Sequence, residues 1–400
     1  MDLRRLKGEL IVKKSHIEKH GDVWKVLSQS GKGFYSVKYV GDFLACNCPY
    51  FELTRQRCKH IYAVEIQKSR CYDWISGKMT EIKKTSYKQD WPNYTKAQNE
   101  EGKLFNELLK DLVENIEEPV YTFGRPKLSL KTALFCAIDK VYSMQSSRRA
   151  YSRYKEAEAK QQISKTPSYN AINKVLNNAN ITPLLQDLLN ITALPLKSVE
   201  TNFSSDSTGF RTSRFSDYCE IKHGVNKEHA WVKCHAMTGN TTNIITSAVI
   251  TSENGADSLQ FIPLLNATNH LGFTISEVTA DKAYNSIDNY NAVQEIGGVA
   301  YIPFKSNVTA PVRTGFKARL WRKMFHYFQL HQDEFYAHYH KRSNVETTFF
   351  AIKAKFGDSL KNKNLISQTN ELLCKLIAYN ITVLINAMFE LKIEPQLLPA

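Results

Sequence analysis

The order of short apolar runs between residues 198 and 304 constrains the fold of this 400-residue chain more than any other feature. "SVETNFSSDSTGF", "HAWVKCHAMT" and "NIITSAVIT" read as strands, the last two joined by the turn "GNTT". "ADSLQFIPLL" then has helical spacing, "ISEVTADKAYNS" returns to a strand, "SIDNYNAVQEIG" is helical again, and "GVAYIPF" is another strand. The later strands are thus reached through helices, as crossovers require, and not through tight hairpins. The predicted class is α/β, a mixed sheet with helices on its faces. Two carboxylates stand where strand runs end: Asp206 before a glycine turn, and Asp281 where the chain turns into a helix.

A third carboxylate follows on a late helix. In "YHKRSNVETTFFAIK", residues 339–353, a continuous helix at about 100° per residue puts Tyr339, Arg342, Glu346 and Lys353 at roughly 0, −60, −20 and −40°. The four share one stripe, with Phe350 at its border. Taken alone, a solvated helix face explains such mixed charges equally well. Together with Asp206 and Asp281 the stripe acquires a purpose. Three converging carboxylates are hard oxygen ligands suited to two Mg2+ or Mn2+ ions. Such a pair activates a water or a 3′-hydroxyl against a phosphodiester. Tyr339, Arg342 and Lys353 then serve to hold DNA phosphates beside the ions. Carboxylates at these points of this element order describe an RNase H-like domain.

These residues resemble the DDE transposases of bacterial and archaeal insertion sequences, in the group marked by Y-x2-R-x3-E-x6-K. The signature is met by Tyr339, Arg342, Glu346 and Lys353, and the similarity spans roughly residues 195 to 390. Asp206 in "DSTGF" corresponds to the first catalytic Asp and Asp281 in "ADKAYNS" to the second, with Tyr284 three residues on. The resemblance implies metal-dependent cleavage at transposon ends and transfer of the 3′ ends into target DNA, by a dimer or higher assembly. Asp281 and Glu346 are 65 residues apart, too few for the large insertion domain of some relatives, and "TGFKARLWRKMFHYFQLHQDEFYAHY" between them reads as linker and helices. Two other readings belong beside this one: a non-catalytic DNA-binding regulator derived from a transposase, and an RNase H-like nuclease without strand transfer.

The N-terminal region carries a different pattern. "CNCPYFELTRQRCKH" spaces Cys46, Cys48, Cys58 and His60 as C-x-C-x9-C-x-H. Three thiolates and an imidazole suit tetrahedral Zn2+. Strand-like runs "VWKVLS" and "FYSVKYV" precede the first pair, and the helical "CKHIYAVEIQK" begins at the second. The pattern resembles the SWIM zinc finger over roughly residues 20 to 70, which implies binding of DNA or of protein. A weaker set, Cys219, His223, His229 and Cys234, falls on the arms of a hairpin.

From about Asn99 helical spacing takes over, in "LFNELLKDLVENI", "LKTALFCAIDKVYSM", "SRRAYSRYKEAEAK" and "SYNAINKVLNN", the last with Thr166 as its cap. Arg148 and Arg149, with Arg153, Lys155 and Lys174, make this segment a candidate DNA-binding domain, against the plainer reading of a helical spacer. "GRPK", at Gly124 to Lys127, has the core of a minor-groove hook. The predicted organisation is a zinc-finger domain over 1–95, a helical domain over 96–195 and the catalytic domain over 196–400.

Charge supports the same partner. The net charge of +14 favours a polyanion, and residues 1–95 hold 18 Lys and Arg against 10 Asp and Glu. No apolar core follows "MDLRRLKGEL", and the most apolar late segment, "LLCKLIAYNITVLINAMF", carries Lys375, Asn380 and Asn386. A secretory leader and a membrane span are therefore not expected. Five cysteines are scattered as reduced core thiols are, and the predicted location is cytoplasmic, on the nucleoid.

Overall fold

A computed structural model of the protein describes residues 3–14, 17–20, 22–28, 33–41, 43–73, 78–81, 90–120, 123, 127–212, 231–308 and 315–397. The chain divides into two compact units, Met1–Lys84 with His331–Ala337, and Thr85–Leu330 with His338–Ala400.

In the first unit, α1 (Leu3–Lys14) precedes an antiparallel sheet of β1 (Glu18–His20), β2 (Val23–Leu27), β3 (Phe34–Val40) and β4 (Phe43–Cys46), which pair in chain order. α2 (Pro49–Thr54) and α3 (Lys59–Ser69) follow, then the antiparallel pair β5 (Arg70–Asp73) and β6 (Lys78–Glu81). Trp24, Val26, Val37, Ile61 and Val64 form the core. α1 packs closely on α3 because Gly8 has no side chain: a Cβ there would stand 2.8 Å from that of Tyr62.

The second unit opens with five helices: α4 (Trp91–Glu114), α5 (Leu130–Tyr142), α6 (Ala150–Ala159), α7 (Tyr169–Leu176) and α8 (Ile181–Ala193). Asp90 caps α4 by accepting from the Asn93 amide at 3.3 Å. The expected cap of α7 is corrected. Ser168, adjacent to the first helical residue, accepts from the Ala171 amide at 3.3 Å, while the Thr166 hydroxyl turns away to donate to the Tyr154 carbonyl at 3.3 Å. Likewise α6 begins at Ala150, so Arg148 and Arg149 precede the helix that sequence spacing assigned to them.

The sheet is then laid down by β7 (Asn202–Arg211), β8 (Trp231–Gly239), β9 (Ile245–Ser252), β10 (Glu277–Ala280) and β11 (Val299–Tyr301), in spatial order β11-β10-β7-β8-β9. β7, β10 and β11 run parallel, while β8 and β9 run antiparallel to their neighbours. This is the mixed sheet expected of the RNase H-like class. α9 (Asp257–His270) and α10 (Ile287–Glu295) are the crossovers. The stretch read as linker and helices holds α11 (Arg319–Leu330) and α12 (Gln332–Tyr339), the latter counted with the first unit up to Ala337. Phe304 takes up Trp321, Phe325 and Phe328 of α11 at ring separations of 5.1 to 5.5 Å.

α13 (Ser343–Phe356) and α14 (Leu365–Glu390) complete the unit. α14 is long and apolar enough to cross a membrane, yet 83% of its most apolar window is buried inside the protein. Its polar residues explain why. Asn380 donates to the Ile245 carbonyl at 2.8 Å and to Thr192 at 2.9 Å and accepts from the Ile245 amide at 3.0 Å, fastening α8 and β9 to α14. Lys375 donates to the carbonyls of Gly357 and Ser359, both at 2.9 Å.

Candidate active site

β7 presents alternate residues to α13 and to the turn His340–Arg342 before it. Ser204 donates to the Lys341 carbonyl at 3.3 Å, Asp206 pairs with Arg342, Thr208 accepts from Lys353 at 2.6 Å, and the Phe210 ring lies 5.3 Å from the Lys353 ammonium. In the parallel ladder Ser205 pairs with Ala280. The next residues, Asp206 within β7 and Asp281 just past the end of β10, therefore stand side by side at one level; the strand end and glycine turn expected at Asp206 are corrected, since β7 runs on through Gly209 to Arg211. Asp281 caps the 3-10 turn Lys282–Tyr284, accepting from the Lys282 amide at 2.7 Å. Glu346 lies in the first turn of α13, where the helix dipole favours a carboxylate.

Arg342 ties this cluster together. Its guanidinium donates to Asp206 at 3.0 Å, to Glu346 at 2.8 Å and, from Nε, to the Tyr339 hydroxyl at 3.0 Å. The side chains of Arg342 and Asp206 are 16% and 20% exposed, that of Glu346 58%, so the cluster is closed on the sheet side and open on the other. Burial pushes the Asp206 carboxyl above its usual range; the Ser207 amide and Arg342 oppose this, and the charges of Asp281 and Glu346 add to it. Burial likewise raises the Tyr339 hydroxyl.

The continuous helix expected over 339–353 is corrected. α12 ends at Tyr339, His340–Arg342 form a 3-10 turn, and α13 starts at Ser343. Side chains three apart eclipse in a 3-10 turn. That tighter winding brings Arg342 onto Tyr339. The turn is anchored at Glu277 of β10, which accepts from His338 at 2.9 Å and Lys341 at 2.5 Å. Phe350, placed beside the stripe, is exposed.

Lys353 meets Thr208 and Phe210 instead of the carboxylates, and burial lowers its pKa. Arg148 and Arg149 are exposed before α6, Arg148 lying 5.5 Å over the Tyr169 ring. Among the described residues, the hydrogen bonds to the carboxylates of Asp206, Asp281 and Glu346 come from Ser207, Lys282 and Arg342. Arg153 is committed to Asp139, with Nε at 3.0 Å. Sequence reading missed Asp257, in the first turn of α9, which pairs with Lys233 at 2.8 Å and stands 3.3 Å from His235. Burial holds His235 toward its neutral form. The only signal was an acidic residue opening a helix beside the sheet.

In the first unit, Cys46, Cys48, Cys58 and His60 converge, all buried, with candidate ligand atoms within 4.8 Å of one another. His60 Nδ1 is 3.8 Å from the Cys46 sulfur and 3.9 Å from that of Cys58. A tetrahedral zinc edge between sulfur and nitrogen is about 3.6 Å. The Cys58 thiol is lowered to about 4, first by the hydrogen bond from Cys46, with burial opposing and His60 assisting. Tyr35 lies against the His60 ring at 4.5 Å. Beside the cluster is a cavity of about 460 Å3 lined by Arg4, Lys7, Lys59, Tyr35 and Tyr50, among others. Of the weaker set, Cys219, His223 and His229 lie outside the described residues, as do Gly124–Pro126 of the hook motif. Cys234 is buried in β8, its thiol pushed up to about 12.

Comparison with known families matches residues 198–381 to the transposase DDE domain and residues 35–69 to the SWIM zinc finger. The chain carries a transposase DDE domain. The matched stretch takes in all five strands of the mixed sheet, the carboxylates Asp206, Asp281 and Glu346, and most of α14. The zinc-finger match takes in all four residues of the Cys and His cluster. No curated protein and no solved structure matches the chain.

Proposed function

We propose that this chain is a metal-dependent cut-and-paste transposase that cleaves DNA at the ends of its element and joins the 3′ ends to target DNA. Asp206, Asp281 and Glu346 are its catalytic carboxylates. The observation that carries the reading is their convergence around one cationic group: the Arg342 guanidinium touches both Asp206 and Glu346, at 3.0 and 2.8 Å. A site that draws a cation between two carboxylates, beside a third, has the charge and the hard oxygen donors for divalent ions. Two Mg2+ or Mn2+ ions, when bound, lower the pKa of the attacking hydroxyl and neutralise the leaving oxygen.

The chain's own side chains do the rest. Asp206 and Asp281, fixed on neighbouring parallel strands, form the rigid side of the site, and Glu346 closes it from α13. Tyr339 and Arg342 border this opening, and with Lys353, held farther along β7 at Thr208, they bind the phosphates on either side of the scissile bond. The N-terminal finger holds one Zn2+ through Cys46, Cys48, Cys58 and His60. Its cavity, with Arg4, Lys7 and Lys59, favours recognition of the element's ends. Arg148 and Arg149 add contacts from the helical segment, within an organisation of 1–95, 96–195 and 196–400. Pairing of two ends calls for a homodimer or larger assembly, acting in the cytoplasm on the nucleoid.

The test is incubation of the full-length protein with labelled duplex carrying its element's ends, in Mg2+, in Mn2+ and in EDTA. Metal-dependent nicking at the boundary followed by joining supports the proposal. Nicking without joining points to a nuclease, and binding without nicking to a regulator.

A further inference from the structure

We propose that Arg342 is a displaceable counter-ion. It neutralises Asp206 and Glu346 while the protein is free of metal and DNA, and must leave them before a divalent cation takes their oxygens. The inference rests on the metal-site reading above and adds to it a control on when the site fills.

The geometry is that of a competitor. One guanidinium nitrogen lies 3.0 Å from a carboxylate oxygen of Asp206, and the same group reaches Glu346 at 2.8 Å. The two acids come from different elements, β7 and α13, and a charged donor between them takes up the lone pairs that a metal ion would need. Without a cation they face each other and Asp281 at close range, and the charges of Asp281 and Glu346 already act on Asp206. The same guanidinium has a second hold, on an uncharged side chain. Its Nε donates to the Tyr339 hydroxyl at 3.0 Å, and its centre lies 6.0 Å from the Tyr339 ring. Glu346, at 58% exposed, marks the solvent side from which DNA arrives. A DNA phosphate bound there offers Arg342 a bidentate anionic partner. Pivoting on Tyr339, Arg342 passes from the carboxylates to the phosphate and leaves the acids open. Phosphate binding and cation binding are then coupled, each favouring the other. The protein without DNA is thereby kept from holding a charged hydrolytic site in solution.

Mn2+ binding to the full-length protein, followed by electron paramagnetic resonance of the free ion with no DNA present, tests this without reference to activity. Arg342→Gln is expected to bind Mn2+ about tenfold more tightly than the wild type, within the usual range of coupling between sites. Arg342→Lys, which keeps the charge, is expected to track the wild type. In EDTA Arg342→Gln should melt below the wild type and recover more on addition of Mn2+. A short duplex lacking the element's ends should tighten Mn2+ binding more in the wild type than in Arg342→Gln. Unchanged or weaker Mn2+ binding in Arg342→Gln, with binding lost in Asp281→Asn, would overturn the competition and leave the metal site standing. If neither the wild type nor Arg342→Gln binds Mn2+, the metal-site reading falls and the inference with it.

Discussion

The two charged centres of this chain are built on opposite plans. The Cys46, Cys48, Cys58 and His60 cluster is closed: all four residues are buried, and they come from a 15-residue stretch. The carboxylate centre is open: Asp206, Asp281 and Glu346 come from the middle of one strand, the end of another and a helix, spread over more than a hundred residues, and Glu346 faces solvent. A closed set of soft donors suits an ion that holds a small fold together, whereas an open position suits an ion that meets a substrate. The difference also extends to what occupies each centre. The thiols share hydrogen bonds with one another, with His60 and with nearby backbone amides, while Asp206 and Glu346 share the cationic Arg342.

The comparison is broken most decisively by chemistry at the open centre. Glu346→Gln is expected to lower boundary nicking by more than about 100-fold, beyond the cost of disturbing only the partners of a metal ligand, while DNA binding in a gel-shift assay stays near wild type. Retained nicking would remove Glu346 from the centre. Next comes the metal at the closed centre. Cys58→Ser should abolish the zinc found by elemental analysis and unfold the first unit, because zinc affinity and folding are one free energy in such a domain. Limited proteolysis should then cut within residues 1–84 and spare the second unit. Zinc retained by the variant would refute the assignment.

A smaller effect separates scaffold from site. Asn380→Ala leaves both backbone groups of Ile245 without their partner, and is expected to cost about 2–4 kcal/mol in urea unfolding. A loss within error would mean that α14 is not the clamp described above. The smallest effect is a pH slope. Burial works to raise Glu277, but His338 and Lys341 outweigh it and hold the carboxylate below its usual range. Its contribution is therefore present above the unfolded value, about 4.3, and is lost as pH falls through that value toward the lower folded one. Glu277→Gln should flatten the fall in stability on acidification below about pH 4.5; an unchanged slope would show that the tie to the 3-10 turn is energetically idle.

The same contrast explains what could be read from residues alone. The closed centre was legible because its spacing is local and strand and helix signals flank it. The sheet was legible too, since periods of two and 3.6 residues report each element's buried face. The open centre was readable as a list of acids, because Asp206 and Asp281 belong to strand runs and Glu346 sits in a specific signature, though only Asp281 proves to stand at a strand end. Its arrangement was not. A helical wheel assumes one winding throughout, and the 3-10 turn at His340–Arg342 breaks it. Nor can spacing tell that Arg342 spends its charge on Asp206, Lys353 on Thr208 or Arg153 on Asp139, since those partners lie 136, 145 and 14 residues away. Asp257 stayed invisible for the same reason: its partners Lys233 and His235 belong to another element.

The position of α14 along the chain carries a consequence for synthesis. Asp206 and Asp281 leave the ribosome long before the helix that Asn380 fastens to β9 and α8. Until that helix has emerged, the sheet lacks a layer over its apolar side, and the strands that carry the two acids have no rigid floor. Assembly of the carboxylate centre therefore waits for α14, and a polypeptide stopped short of Leu365 bears every acid but not the packed centre.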